Sequence, residues 1–316
     1  MLVTGGAGFI GSHLVRKLIQ SRNIQVTVVD NLSNNRQYFT TRPYANEERV
    51  SFFDMDIRNM EGVNDVIFNK KIDTCFHLAA KISVAESMLS PFNTIDVNVN
   101  GTTSLLNACA QNGVENFVFA SSAAVYGEPK TVPVSEDHVL SPLSPYGASK
   151  VAGESLVTSF ANSGRIKNAV SLRFFNVYGK GQSSDYAGVI TKFIERIGRG
   201  LAPVIYGDGQ QTRDFVSVHD IVDGLVIAAE EGCSGIYNLG TGISITLNEL
   251  ASTVLKSLGS TLQPIHEKGR NGDIRDSRAN IELILKELEF KPSIPVRQGV
   301  SALAQDTAAI QLMLPR

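Results

Sequence analysis

Residues 144–150 read SPYGASK and place Tyr146 and Lys150 four positions apart, in a stretch with the character of a helix start. On a helix, positions i and i+4 share one face, so a phenol and an ammonium can point into the same space. A free tyrosine ionises near pKa ~10 and is a poor base at neutral pH, but a neighbouring cation favours the phenolate. Such a pair suits proton abstraction from a hydroxyl; taken alone, the spacing fits an ordinary surface Tyr and Lys equally well. A second group lies in TGGAGFIGSHL, where Gly5, Gly8 and Gly11 follow a short β-rich run and open an amphipathic helix. Small residues there let the backbone approach a pyrophosphate, whose charge then faces the amides and positive dipole of the helix N-terminus. The Gly-x-x-Gly-x-x-Gly spacing departs by one residue from the Gly-x-Gly-x-x-Gly dinucleotide fingerprint. Asp30 closes the next β-rich run, nineteen positions after Gly11. A carboxylate there accepts hydrogen bonds from ribose hydroxyls and repels a 2′-phosphate, which favours NAD over NADP. The plainer alternative is a turn-forming aspartate.

The elements that must hold these groups alternate along the chain. β-rich runs recur as MLVT, QVTVVD, RVSFFD, DTCFHLAA, NFVFASS and AVSLRFFNV, with stretches between them long enough for helices. That rhythm predicts the doubly wound α/β class, a parallel Rossmann-type sheet covered on both faces. Beyond about Val177 the rhythm loosens, and the helix-like YAGVITKFIERIGRG and SITLNELASTVLKSLG mix with short strands and turns. The expected division is a cofactor-binding domain over residues 1–175 with a return segment at about 214–240. A smaller α/β domain from 176–213 and 241–316 would cover the carboxyl ends of the first sheet and choose the substrate. No internal repeat is evident.

With 316 residues, 43% hydrophobic and 19% charged, the composition is that of a globular protein. A net charge of -2 argues against nucleic acid or an anionic membrane as the main partner. Cys75, Cys109 and Cys233 are scattered and odd in number, which fits neither a disulfide framework nor a zinc site and suggests a reducing compartment. Cys75 and Cys109 sit in apolar surroundings that suit packing, and no metal is expected. The start, MLVTGG, offers no charged lead and no apolar run of spanning length, so a cytoplasmic location is expected.

In combination, several stretches resemble the extended short-chain dehydrogenase/reductase family, and the resemblance runs through nearly the whole chain. They are TGGAGFIG at 4–11, DNLS at 30–33, HLAA at 77–80, NVNGT at 98–102, SSAAVYG at 121–127, YGASK at 146–150 and RFFNVYG at 173–179. The resemblance implies that Tyr146 is the catalytic acid/base and that Lys150 holds the nicotinamide ribose while lowering the phenol's pKa. It implies Ser122 as the serine that hydrogen-bonds the reacting hydroxyl, with Ser121 as the second candidate. NAD would lie on Gly5, Gly8, Phe9, Ile10, Gly11, Asp30, Asn31 and Ser33, with Asp56 and Ile57 at the adenine and Leu78, Ala79, Ala80, Asn98 and Phe174 alongside.

Removing hydride from a carbinol carbon requires its hydroxyl to lose a proton, and a phenolate beside a lysine suits that task while a serine steadies the oxygen. Dehydratases and decarboxylases of the resembling family carry an acid just after the serine or threonine, where this chain has Ala123 and Ala124. The resemblance therefore implies epimerisation at C4 of a nucleotide-sugar: the 4-keto sugar would turn in the site and regain hydride on its other face. GDGQQTRDFVSVHD, with Tyr206, Arg213 and Asp214, resembles the segment that holds the nucleotide. In GRNGDIRDS, Arg270 would meet the diphosphate and Asp273 a ribose, with Asn271 where proline is more usual. Two guanidinium groups suit a diphosphate because arginine binds such oxygens in forked geometry.

Asn176 would contact phosphate or sugar, and Ser83, Ala124, Gln182 and Val189 complete the implied substrate set with Ser122 and Tyr146. Ser277, four positions after Asp273, is small and would leave room for an N-acetyl group at C2 of the sugar. UDP-glucose and UDP-galactose, with their N-acetylated forms, are the implied substrates. UDP-glucuronate epimerisation or another nucleotide-sugar oxidoreduction stays open. So does a non-catalytic NAD-binding regulator, although Ser122, Tyr146 and Lys150 are all present. A homodimer through helices at 93–113 and 146–164 is the implied assembly.

Overall fold

The computed structural model describes residues 1–33, 47–182, 188–269 and 272–313. In chain order its strands are β1 (Leu2–Thr4), β2 (Val26–Asp30), β3 (Val50–Asp54), β4 (Thr74–His77), β5 (Asn116–Ser122) and β6 (Asn168–Phe174). There follow β7 (Asn176–Tyr178), β8 (Val204–Tyr206), β9 (Thr212–Ser217), β10 (Gly235–Leu239), β11 (Ser244–Thr246) and β12 (Ile265–Glu267). The helices are α1 (Phe9–Leu18), α2 (Met60–Lys70), α3 (Val84–Leu89), α4 (Pro91–Ile95), α5 (Thr102–Gln111) and α6 (Pro145–Asn162). Then come α7 (Val189–Gly198), α8 (Val218–Glu230), α9 (Leu247–Ser257), α10 (Glu282–Leu288) and α11 (Val296–Met313).

Seven strands form one parallel sheet in the order β3-β2-β1-β4-β5-β6-β10, the doubly wound Rossmann arrangement. The order reverses between β1 and β4, which opens a crevice at the carboxyl ends of those strands. The strands read as nearly continuous apolar runs because both faces are covered. Val3, Val28, Phe76, Val118 and Leu172 share one core with residues of α1 and α8, while Leu2, Val29, Cys75, Phe117 and Phe119 share another with α2, α5 and α6. Cys109 packs in the second of these, as its apolar surroundings suggested.

The smaller sheets, β11-β9-β7 and β12-β8, surround a third core with α7, α9 and α11, built on Phe193, Ile205, Phe215, Leu250 and Val300. One difference from the sequence reading lies at residues 84–101. Two short helices, α3 and α4, lead into a wider π-helical turn, Asp96–Gly101, before α5 begins. Among the described residues, no helix is long and apolar enough to cross a membrane.

One buried imidazole in the sheet is bonded through both ring nitrogens. His77 at the end of β4 lies between the Thr4 hydroxyl (Nδ1, 2.7 Å) and the Thr102 hydroxyl (Nε2, 2.8 Å). Thr102 donates its proton to the Asn98 carbonyl, so it accepts from Nε2–H and leaves Nδ1 to accept from Thr4. Burial first, then the Lys150 charge, pulls the imidazole down to about 3. The unfolded state therefore binds one more proton than the fold between about pH 6.5 and 3, and stability falls as pH drops through that window. The thermal midpoint should decline from near pH 6.5 downward, and the decline should be shallower in His77→Gln. Equal slopes in calorimetry across that range would contradict this.

Candidate active site

Local geometry at the end of β1 shapes the crevice. Gly5 has φ +69°, and a Cβ there would meet Ala79 N at 2.7 Å; a Cβ on Gly11 would lie 2.2 Å from the Gly5 carbonyl oxygen. Only glycine lets α1 start this close to the sheet. Gly8 caps α1 without a side-chain acceptor, which leaves the first-turn amides directed to the crevice. Asp30 at the end of β2 accepts from Ala7 N (2.9 Å) and Leu32 N (2.8 Å), so its carboxylate is fixed beside the glycine turn.

A cavity of about 380 Å³ runs from this turn across the sheet edge. It is lined by Gly5, Gly8, Phe9, Ile10, Gly11, Asp30, Asn31, Ser33, Asp56, Ile57, Leu78, Ala79, Ala80, Tyr146, Lys150 and Phe174, all expected at the cofactor. The uncapped helix start, the glycine cradle and the fixed carboxylate fit a dinucleotide. Arg58 and Lys81 also line the cavity and were not anticipated. Arg58 donates to Asp56 twice through side-chain nitrogens (2.9 and 2.8 Å) and to Asp96 (2.7 Å). That contact holds Asp56 down at about 2. The Asp-x-Arg spacing at 56–58 was the signal available; nothing local marked Lys81.

Asn98 does not line the cavity. It is buried, with Oδ1 accepting from Lys81 N (2.7 Å) and Nδ2 donating to the Lys81 carbonyl (2.9 Å) and Ser149 Oγ (2.9 Å). Its side chain braces the Lys81 backbone against α6.

Helix α6 begins where the SPYGASK stretch predicted. Pro145 takes the first turn, and Ser144 Oγ accepts from Gly147 N (3.1 Å). Tyr146 and Lys150 then share a face toward the cavity. Ser122, ending β5, shares the wall of one cavity with the Tyr146 phenol, and its oxygen accepts from Ala124 N (3.2 Å). Ser121 is buried and gives its proton to Glu154 (2.5 Å), which separates the two serine candidates. Lys150 Nζ donates to the Ala120 carbonyl (2.7 Å) and lies 5.9 Å from the Tyr146 ring centroid. Burial pulls the Lys150 ammonium down to about 8 against the nearby Glu154 carboxylate. Burial pushes the Tyr146 phenol up, and the neighbouring Ser122 hydroxyl offsets part of that rise.

A second cavity, about 210 Å³, opens on the other side of Tyr146. It brings together Ser122, Ala124, Tyr146, Asn176, Arg213 and Ser277 from the implied substrate set, with Ala123, Val84, Tyr126, Phe175 and Ile274 as further wall. Tyr146 and Phe174 line both cavities. Gln182 lines the first cavity instead of the second, where its side chain accepts from Thr191 (3.1 Å). Asp273 is ion-paired with Arg213. Ser83 caps α3, Val189 opens α7 and Tyr206 ends β8; none of these three lines either cavity. Arg270 and Asn271 lie outside the described residues. Asp214 is fully buried and accepts from Thr241 N, Gly242 N and Ala279 N (2.9, 2.9 and 3.1 Å). It orders loops instead of facing a ligand. Among the described residues, no group of three or more His, Cys, Asp or Glu could hold a metal ion.

Residues 1–240 match the family described as NAD dependent epimerase/dehydratase. The chain belongs to that family. A UDP-glucose 4-epimerase from Mycolicibacterium smegmatis is 35% identical over 303 residues, covering 95% of this chain and 96% of that protein. Among solved structures, a UDP-N-acetylglucosamine 4-epimerase from Methanobrevibacter ruminantium, in complex with UDP-N-acetylmuramic acid, superposes with TM-score 0.91. Its sequence identity is 36%, over 99% of this chain and 98% of that one. A UDP-glucose 4-epimerase from Thermotoga maritima with UDP-glucose gives TM-score 0.91 and 34% identity, over 98% and 99%. The glycine turn and the first cavity lie wholly within the part matched by the epimerase/dehydratase family, whereas Ser277 and Asp273 lie beyond it.

Proposed function

We propose that the chain is an NAD-dependent UDP-sugar 4-epimerase acting on UDP-glucose and UDP-galactose and, through a roomy pocket, on their N-acetylated forms. The observation that carries this reading is the position of Tyr146 at the junction of the two cavities, with Ser122 in the same wall on the substrate side. The cofactor side holds the glycine turn and Asp30; the substrate side reaches Asn176, Arg213 and Ser277.

Bound NAD supplies the hydride acceptor and donor for C4 of the sugar. Tyr146, as the phenolate, would take the C4 hydroxyl proton as the carbonyl forms and, as the phenol, return it when the alcohol is restored. Ser122 donates a hydrogen bond to the same oxygen, stabilising the charge that develops there. Lys150, anchored on the Ala120 carbonyl, directs its ammonium to the ribose side of the junction. Asp30 takes the adenosine ribose hydroxyls and disfavours a 2′-phosphate. Ala123 and Ala124 place no carboxylate beside Ser122, so the keto sugar meets no second acid or base for elimination.

Arg213 is the sole cation among the described residues lining the second cavity, and it holds Asp273. A C6 carboxylate would lack a dedicated partner, which favours neutral hexoses over the glucuronate series. By the family pattern, Arg213 and Arg270 would meet the diphosphate and Asp273 a ribose. The remaining substrate assignments, Ser83, Gln182, Val189 and Tyr206, belong to this reading through the family pattern alone.

The division into a domain of residues 1–175 plus about 214–240 and a second of 176–213 plus 241–316 is part of the same reading. Support comes from β10 pairing with β6 and α8 packing on α1. Three free thiols suit a cytoplasmic location. A homodimer is supported by exposed Met88, Leu89 and Phe92 (60, 87 and 89% exposed) on α3 and α4, which pack against α6.

Tyr146→Phe should lower kcat by at least ~10²-fold while leaving NAD bound, the contribution of a positioned acid/base. Near-normal turnover of UDP-glucose by that variant would defeat the mechanism. Ser277→Tyr should abolish conversion of UDP-N-acetylglucosamine and spare UDP-glucose, read as kcat/KM for each sugar in both proteins. Retention of the N-acetyl activity would remove the steric argument. In sedimentation velocity, the unmodified chain should run as a dimer and Phe92→Glu as a monomer; a monomeric unmodified chain would end the assembly proposal.

A further inference from the structure

The turn that carries Ser122 is fastened at both ends to one buried ion pair. Before the turn, Ser121 Oγ donates to Glu154 Oε1 (2.5 Å); after it, the Tyr126 hydroxyl accepts from Arg173 Nη1 (2.8 Å). Glu154 and Arg173 meet at two points, Nε to Oε1 at 2.8 Å and Nη2 to Oε2 at 2.7 Å, with both side chains 3% exposed. Side chains thus close a ring, Ser121 to Glu154 to Arg173 to Tyr126, around Ser122 and the turn Ala123–Val125. Arg173 stands directly opposite Ser121 in the β5–β6 ladder. Glu154 lies one helical turn beyond Lys150 and two beyond Tyr146 on α6. One pair therefore ties the strand end bearing Ser122 to the helix bearing Tyr146.

The ring also reaches outward. Tyr126 donates to Asn238 Oδ1 (2.6 Å), and Asn238 Nδ2 donates to the carbonyls of Val134 (2.9 Å) and Asn280 (3.2 Å). Asn280 follows closely on Ser277 in the wall of the second cavity. Stability alone gives little reason for such a pair, since desolvation offsets most of its attraction and apolar residues of similar volume serve as well. What two-point geometry supplies is a fixed orientation.

We propose that Ser121, Glu154, Arg173 and Tyr126 form a positioning clamp that sets the Ser122 hydroxyl in register with the Tyr146 phenol. The proposal rests on the acid/base reading of Tyr146 given above. None of the four residues takes a chemical step.

Tyr126→Phe cuts one fastening and keeps the ring that lies 4.8 Å from the Arg173 guanidinium; Ser121→Ala cuts the other. Each should lower kcat for UDP-glucose by roughly 10- to 10²-fold, the effect of misplacing a reacting group by about 1 Å. Tyr126→Phe should leave bound NAD unchanged, and Ser121→Thr, which retains the hydroxyl, should restore kcat. A second readout needs no turnover: NMR of Cζ-labelled tyrosine, with the Tyr146 signal assigned through Tyr146→Phe. In both cut variants that signal should move in the direction seen for Ser122→Ala. If the unmodified chain converts no UDP-sugar, the functional reading fails while the NMR comparison still judges the clamp. An unmoved Tyr146 signal in the cut variants overturns the clamp, as does a kcat loss that is matched by loss of bound NAD.

Discussion

The molecule depends first on backbone meeting backbone at the end of β1. A single methyl on Gly11 would fall within 2.2 Å of the Gly5 carbonyl oxygen, so α1 can begin against the sheet only because that methyl is missing. This contact directs the free amides of the first turn into the crevice between β1 and β4. It also brings Ala7 within reach of Asp30, so that one carboxylate is oriented by the turn it helps to define. The cofactor cavity is the space that remains when these elements are placed, and the order of the strands decides where it opens.

Around this centre, buried polar residues act as joints between elements. His77 joins β1 and β4 to α5 through two threonines, Asn98 joins Lys81 to α6 through Ser149, and Asp214 gathers three backbone amides from loops far apart in sequence. Each joint is satisfied, and an unsatisfied group at any of them would cost about 1–3 kcal/mol. His77 and Asn98 tie elements around the parallel sheet, and Asp214 ties loops to β9 of a smaller sheet.

The electrostatics of the junction follow from that burial. Lys150 is drawn down to about 8, and the phenol beside it is driven up by the same loss of water, with the Ser122 hydroxyl as the opposing influence. Lys150 donates one of its three ammonium protons to the Ala120 carbonyl. Small residues at 123 and 124 complete the picture by keeping carboxylates away from the carbon atoms next to the reacting one.

By itself, the sequence determined the alternation of strands and helices, the glycine turn, the Asp30 strand end and the pairing of Tyr146 with Lys150. These are local signals: apolar periodicity, residues that open a helix, and spacing within one turn. Sixteen residues expected at the cofactor do line one cavity, because the stretches that carry them end at the same sheet edge. Contacts across the fold were not legible. Asn98 read as a ligand contact, and the sequence did not show that its side chain bonds residues at positions 81 and 149. Asp214 looked like part of a binding segment and is enclosed by loops at 241–242 and 279. Ser121 and Ser122 were neighbours of equal chemistry until Glu154, thirty-three positions away, claimed one of them. Which polar group faces a ligand and which is consumed inside depends on partners distant in sequence, and only packing in three dimensions selects those partners.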